Sequence, residues 1–297
     1  MRKPRILLIG AGRFGMHYVR LLTQLHEEGA VTFVGVVVKT VEHAAQLAED
    51  QRIEVFAEYD AVSLASVDMV FVVTPVDTHF EIVSDCIPHA DVFVEKPMTQ
   101  TLEEARQLDA LAEEYNRVLM IGHIFRFHPV TQKLRSLLKE ESPLNIEGVF
   151  VNSIDTDLGR PIAMELLHLF DIVDYLYQPE VTSVHATSSN RTMEVSVTHN
   201  TIGDATYRLG WEGVEKRRRL KIVYEDIYID GDFLRNRVVV QKGDEVHSYE
   251  CETTEDALRS EIEAFIYKTR DMVSPQTAMR SMDIALKAQA CTNLNNI

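Results

Sequence analysis

The stretch Arg5–Gly15, RILLIGAGRFG, limits the fold more tightly than any other in the chain. Apolar residues from Ile6 to Ile9 run straight into Gly10, Ala11, Gly12, Arg13, Phe14 and Gly15, after which Phe14, Tyr18, Leu21, Leu22 and Leu25 recur at helical spacing. A buried strand, a tight turn and a helix in that order form the dinucleotide fingerprint. Gly10 permits the turn, Gly12 lets the backbone approach a pyrophosphate and Gly15 lets the helix close on the strand. Amides at the helix start then hold the phosphates, with Arg13 and Phe14 beside them. A bare GxGxxG is weak; the strand before it and the helix after it give it weight.

To about residue 122, short β-branched runs alternate with helical patterns: RILLIG, VTFVGVVV, DMVFVVTP, DVFVEKP and RVLMIGH. Apolar almost throughout, they read as parallel strands buried on both faces. Thr101 opens the helix TLEEARQLDALAEEY with Glu104 at the capping-box position. Beyond residue 123 the alternation stops. After a short helix from Pro129 to Lys139 come IEGVFVNSI, one apolar helix PIAMELLHLFDIVDYLY, then VTSVHATSSN, EVSVTHN, ATYRLGW, RRLKIVYEDIYIDG and RVVVQKG, with hairpins at DGD and KGDE. Two helices, near 254–270 and 276–290, close the chain. The expected architecture is an N-terminal doubly wound parallel Rossmann sheet, residues 1–122, followed by an α+β domain, residues 123–297, with a large, mostly antiparallel open sheet flanked by helices. The first is the expected dinucleotide-binding domain and the second the substrate-binding and oligomerisation domain. A cleft between them is the default ligand site.

Composition narrows the partners. Over 297 residues, 30 basic against 46 acidic side chains give a formal charge of −16, which disfavours nucleic acid and anionic membrane surfaces. The basic start MRKPR precedes an apolar run too short for a signal or a membrane span, so a cytoplasmic protein is expected. Cys86, Cys251 and Cys291 lie far apart and predict free thiols, and no spacing suggests a metal site. The partners left are a small molecule and further copies of the chain. A free apolar face on the second sheet would make a homodimer or homotetramer.

The second strand ends in Val36, Val37, Val38, Lys39 and Thr40. An NAD-preferring fold places an acid here for the ribose 2′-hydroxyl. Val38 stands there instead, and Lys39 and Thr40 offer a charge and a hydroxyl to a 2′-phosphate, so NADP is favoured over NAD. In the alternative, Lys39 is a solvated strand end and Glu42 takes the ribose.

VFVEKPMTQT, residues 92–101, puts Glu95, Lys96 and Pro97 directly after a buried strand. Together with GAGRFG, TPVDTH at 74–79, GHIFRFHP at 122–129 and a helix carrying His168 and Asp171, it resembles the Gfo/Idh/MocA oxidoreductases over essentially the whole chain. The resemblance implies cofactor contacts at Thr74, Pro75 and His79, a cofactor-side role for Glu95, and Lys96 facing the substrate at the hydride-transfer site. Family members often hold the EKP proline in the cis form. The resemblance also makes His168 the acid/base, with Asp171 at i+3 placed to orient its imidazole. Many members carry an aspartate four residues before that histidine; this chain has Met164, next to Glu165, and Asp155 and Asp157 upstream are the alternatives. Arg126 reaches either the cofactor or an anionic substrate, or makes a salt bridge. The run Lys216–Arg219 reads as a solvated strand or as a contact for a nucleotide-sugar phosphate.

The activity so implied is an NAD(P)-dependent dehydrogenase or reductase, moving a hydride to or from a secondary hydroxyl or ketone of a sugar, cyclitol or nucleotide sugar. The alternatives are a non-catalytic nicotinamide-nucleotide-binding regulator and a hydrolase or epimerase that keeps NAD tightly bound.

Overall fold

The computed structural model describes residues 2–38, 53–59, 64–156, 159–251 and 256–294. Lys39, Thr40, Glu42 and Asp157 lie outside them. The chain divides into two compact units, Met1–Gly122 with Glu261–Met279 and His123–Ser260 with Arg280–Ile297.

In the first unit β1 (Arg5–Ile9), β2 (Thr32–Val37), β3 (Val55–Phe56), β4 (Met69–Val72), β5 (Asp91–Glu95) and β6 (Leu119–Gly122) form one parallel sheet in the order β3-β2-β1-β4-β5-β6. Every residue of β4, β5 and β6 is buried, as the apolar runs predict for a sheet covered on both faces. Helices α1 (Gly15–Glu27), α2 (His79–Cys86) and α3 (Leu102–Glu114) follow β1, β4 and β5. Thr101 and Glu104 make the capping box that the sequence calls for. The core is aromatic: Phe71 lies 5.1 Å from Phe93 and meets Phe265 edge-on at 5.3 Å. Phe265 comes from α7 (Ala257–Ile266), whose later residues belong to this unit.

The second unit is built on an eight-stranded sheet, β7 (Asn145–Asn152), β8 (Val181–Ser189), β9 (Thr192–His199), β10 (Asp204–Trp211), β11 (Arg217–Val223), β12 (Ile227–Asp232), β13 (Arg237–Lys242) and β14 (Glu245–Glu250). Its order is β14-β13-β12-β11-β7-β10-β9-β8, antiparallel except for the β7–β10 pair. One face is apolar and carries α4 (Pro129–Ser136), α5 (Ile162–Glu165) and α6 (His168–Tyr177). The other is polar, with Glu194, Ser196, Thr206, Arg208, Arg217 and Arg219 exposed. α8 (Pro275–Leu294) closes the chain.

Three local expectations are corrected. RRLKIVYEDIYIDG is two strands joined at Tyr224–Asp226, not one. DGD is not a hairpin turn: Gly231 lies inside β12 beneath α4, where a Cβ would come within 2.9 Å of Val130 and 3.1 Å of Leu134. A glycine can mark close approach of a helix as readily as a turn. The apolar stretch from Pro161 is two helices, because the chain leaves helical geometry at Leu166 (φ −109°, ψ 25°). Met164 and His168 therefore sit on different helices, and His168 opens the second. The KGDE turn does join β13 to β14.

The three cysteines are free thiols. Burial pushes Cys86 up to about 12, which leaves it inert near neutral pH. No helix among the described residues is long and apolar enough to cross a membrane.

Candidate active site

The candidate residues fall into two clusters, one in each unit. In the first, the turn after β1 meets the segment after β4, its neighbour on the side where the strand order reverses, the usual ligand position in an open parallel sheet. Gly10 has φ +97°, and a Cβ on it would come within 2.4 Å of Val73 O. A Cβ on Gly15 would lie 2.5 Å from Gly10 O. Both positions require glycine, for the turn and for the helix's approach. Gly12 differs: a Cβ there would meet nothing within 4 Å. Its backbone borders open space, as needed if a pyrophosphate is to reach it, while Arg13 and Phe14 are exposed beside it. Gly10 N donates to Val37 O at 3.0 Å, tying the turn to the end of β2, and the buried Val38 follows.

The segments after β4 and β5 are fastened by one imidazole. His79 is 1% exposed, with Nε2 at 2.9 Å from Thr74 O and Nδ1 at 2.9 Å from Pro97 O. Burial lowers its pKa, and a neutral ring has one N–H, so it donates to one of these carbonyls at a time. Thr78 Oγ1 lies 2.7 Å from Pro75 O and 2.8 Å from Thr74 Oγ1, which braces the same turn. The Lys96–Pro97 peptide is cis, as the resemblance leads one to expect.

Glu95, at the end of β5, is buried. Its Oε1 accepts from Tyr18 Oη at 2.6 Å and its Oε2 from Lys96 N at 3.0 Å. Glu261, 0% exposed on α7, comes against the same phenol. Burial first, then these two acids, raise the Tyr18 pKa well above the phenol range, so its proton stays in place. Lys96 itself is half-buried at the end of this array.

In the second unit Asp171 sits at 1% exposure. Arg126 Nε lies 3.0 Å from both of its oxygens, Arg126 Nη2 2.6 Å from Oδ1, and His123 Nδ1 3.2 Å from Oδ1. Burial alone would raise the Asp171 pKa, but the Arg126 guanidinium, and after it the neighbouring imidazole of His123, hold it well below the usual carboxylate range. Asp174 joins the network, 3.4 Å from Arg126 and 2.6 Å from Arg280. Of the roles the sequence leaves open for Arg126, the structure displays the ion pair. It brings Asp171 to Arg126 and His123. His168, 8% exposed, packs against aromatic rings, 4.7 Å from the Phe125 centroid and 6.3 Å from that of Phe150. Met164 is buried, Glu165 faces Arg160 at 3.5 Å, and Asp155 is exposed.

Sequence reasoning did not single out Tyr18, Glu261, His123 or Asp174. A hydroxyl in the apolar stripe of α1 was the available signal for Tyr18. For Glu261, a lone acid on a helix distant in sequence, there was none.

A parallel sheet in this strand order, with open space at Gly12 at its switch point, is that of a dinucleotide-binding fold, and an acid–lysine–proline corner stands two strands away. Residues 4–123 match the model of the GFO_IDH_MocA oxidoreductase family, NAD-binding Rossmann fold. The chain is 30% identical over 239 residues to UDP-N-acetylglucosamine 3-dehydrogenase of Acidithiobacillus ferrooxidans, covering 77% of this chain and 74% of that protein. It is 26% identical over 194 residues to scyllo-inositol 2-dehydrogenase (NAD(+)) of Bacillus subtilis, covering 61% of this chain and 56% of that one. A solved structure of the Acidithiobacillus ferrooxidans enzyme superposes with a TM-score of 0.90 over 99% of both chains, at 26% identity. The chain belongs to the Gfo/Idh/MocA oxidoreductase family, and its cofactor is a nicotinamide dinucleotide.

Proposed function

We propose that the protein oxidises a secondary hydroxyl, or reduces the matching ketone, of a sugar, cyclitol or nucleotide sugar. The observation that carries this reading is the Tyr18–Glu95–Lys96 array, which ends a buried strand in an amine two strands from the glycine turn. The names of the dehydrogenase relatives support the hydroxyl-bearing substrate class. The dinucleotide, when bound, supplies the hydride chemistry. Gly10, Gly12 and Gly15, with Arg13 and Phe14, hold its phosphates through the start of α1. Thr74 and Pro75 border the same crevice, and His79 serves it by fastening the Thr74 and Pro97 backbones together. Lys96 moves the hydroxyl proton and Glu95 fixes its backbone. His168 is the second proton-handling group, kept in place by Phe125 and Phe150, while Asp171 and Arg126 set the turn from which Phe125 projects.

NADP is the preferred cofactor in this reading, with NAD the alternative. Val38 offers no carboxylate to repel a 2′-phosphate, and Lys39 and Thr40 follow it in sequence. Residues 1–122, with Glu261–Met279 added to them, form the dinucleotide-binding unit, and His123–Ser260 with Arg280–Ile297 the substrate-binding and oligomerisation unit of a cytoplasmic protein. The uncovered face of the second sheet is polar, bearing Arg208, Arg217 and Arg219, where an apolar one was expected, so a homodimer or homotetramer built there would meet through polar side chains.

A thermal-shift comparison of NAD, NADH, NADP and NADPH, followed by a sugar, cyclitol and nucleotide-sugar panel with the tightest binder, tests the reading. The expected result is a raised midpoint with the NADP pair and formation of reduced dinucleotide with one panel member. No shift with any of the four would overturn it.

A further inference from the structure

The basic run Lys216–Arg219 does not behave as one surface. β11 alternates faces, and the residues on its outer side each meet an acid: Arg217 with Glu212, Arg219 with Asp230, and Lys221 with Glu147 at 3.8 Å. Arg218 points the other way. It shares the helix-covered face with Leu220 and Ile222, both 0% exposed, and stands in register with Phe150 of β7. Its guanidinium lies 4.9 Å from the Phe150 centroid and 5.5 Å from that of Phe125. Its polar partner is the neutral Asn152, whose Oδ1 accepts from Nη2 at 2.9 Å. Among the described residues, no carboxylate lies within ion-pair reach of it.

A guanidinium carries five donors, and a charge withdrawn from water is costly unless an opposite charge meets it. Neighbouring Arg217 and Arg219 show that this sheet supplies acids where a cation has only to be neutralised. At Arg218 it supplies two aromatic faces and an amide. Burial lowers the Arg218 pKa to about 10, and burial together with the Arg218 charge holds His128 at about 4. The Phe125 ring neighbours both groups: its centroid lies 5.5 Å from the Arg218 guanidinium and 4.7 Å from the His168 ring.

We infer that Arg218 is a specificity-determining residue that receives an anionic group, carboxylate or phosphate, of the substrate handled by His168. The inference rests on the proposed oxidoreductase reading and names the substrate class within it: a sugar bearing a negative charge rather than a neutral polyol. The planar guanidinium fork matches either oxyanion in bidentate fashion, and Phe125 and Phe150 shield the pair from water.

The test is isothermal titration of the dinucleotide-saturated protein with three probes: UDP-N-acetylglucosamine as the phosphate source, glucuronate as the carboxylate source, and neutral scyllo-inositol. The wild type is expected to bind one anionic probe more tightly than inositol, and the probe so bound identifies the source. Arg218→Gln should lose about tenfold or more of that affinity, the worth of a charge-assisted hydrogen bond, and leave inositol unchanged. Arg218→Lys, which keeps the charge and the fold but not the fork, should recover only part of the loss. The inference is overturned if Arg218→Gln or, should that variant not fold, Arg218→Lys binds the anionic probes as the wild type does. Equal weakening of charged and neutral probes overturns it too, as does a wild type that prefers neither anion. Because binding rather than turnover is read, an absence of hydride transfer would count against the enzymatic reading and leave this result standing.

Discussion

Tyr18 donates a 2.6 Å hydrogen bond to Glu95, and so links α1, which succeeds the glycine turn, to the residue that immediately precedes Lys96. The phenol is fully buried and faces two acids, Glu95 and Glu261. Tyr18→Phe removes the hydroxyl that donates to Glu95. Leaving a buried acceptor without its donor costs about 1–3 kcal/mol. Urea denaturation should show that loss, with a lower kcat because the corner at residues 95–97 is less firmly held. Unchanged stability would mean that the phenol does not hold Glu95.

His79 spans the carbonyls of Thr74 and Pro97. In His79→Leu the carbonyl that holds the ring N–H loses its donor and the ring no longer bridges the two segments, and dinucleotide affinity, measured by titration, should fall several-fold while far-UV circular dichroism stays native. Affinity equal to the wild type would show that the clasp does not shape the cofactor crevice.

Asp171 provides a pH signature. Its folded pKa lies below the unfolded value of about 3.9, so the folded state binds fewer protons. The Arg126 pair's contribution is complete above that unfolded value and drains away as pH falls towards the folded one. Asp171→Asn leaves the buried Arg126 guanidinium with Asp174, at 3.4 Å, as its remaining acid and should cost up to about 3–5 kcal/mol. The difference in unfolding free energy between wild type and Asp171→Asn should be flat from neutrality down to about pH 4 and shrink below it. A difference that grows in acid would contradict the assignment.

His128 titrates in a separate window. Its Nδ1 accepts from Val130 N at 3.2 Å and caps α4, which requires that nitrogen unprotonated. Burial, then Arg218, lowers the folded pKa to about 4, against about 6.5 when unfolded. Stability is therefore fully present above about pH 6.5 and falls as pH drops from there to about 4. His128→Asn keeps a capping side chain without the titration, so its stability should be level across that window. If the variant declines in parallel with the wild type, another group is responsible.

The first unit was legible because its signals are local. Periodicity gives β1 and α1, the glycine spacing gives the turn, and Thr101 with Glu104 gives the start of α3. In the second unit, chain spacing misled where packing decides. Gly231 looked like a turn residue and is a contact under α4; the helix around Met164 looked continuous and breaks at Leu166. The candidate site divides the same way. Gly10–Gly15 and Glu95–Lys96 could be read from order along the chain. Glu261 reaches Tyr18, and Arg126 reaches Asp171, only through tertiary folding across separations that no pattern encodes. Arg218 lay between these cases: strict alternation in β11 already set it apart from Arg217 and Arg219, but that it has no acid beside it among the described residues needed the structure.

The central claim is that Lys96 handles the substrate proton. Wild type and Lys96→Met should be compared with the substrate that emerges from the panel, by formation of reduced dinucleotide, and by titration with the dinucleotide alone. The account predicts a fall in kcat of about 100-fold or more, the usual worth of a positioned proton-transfer group, with dinucleotide affinity unchanged. A Lys96→Met protein that turns over at the wild-type rate would contradict it.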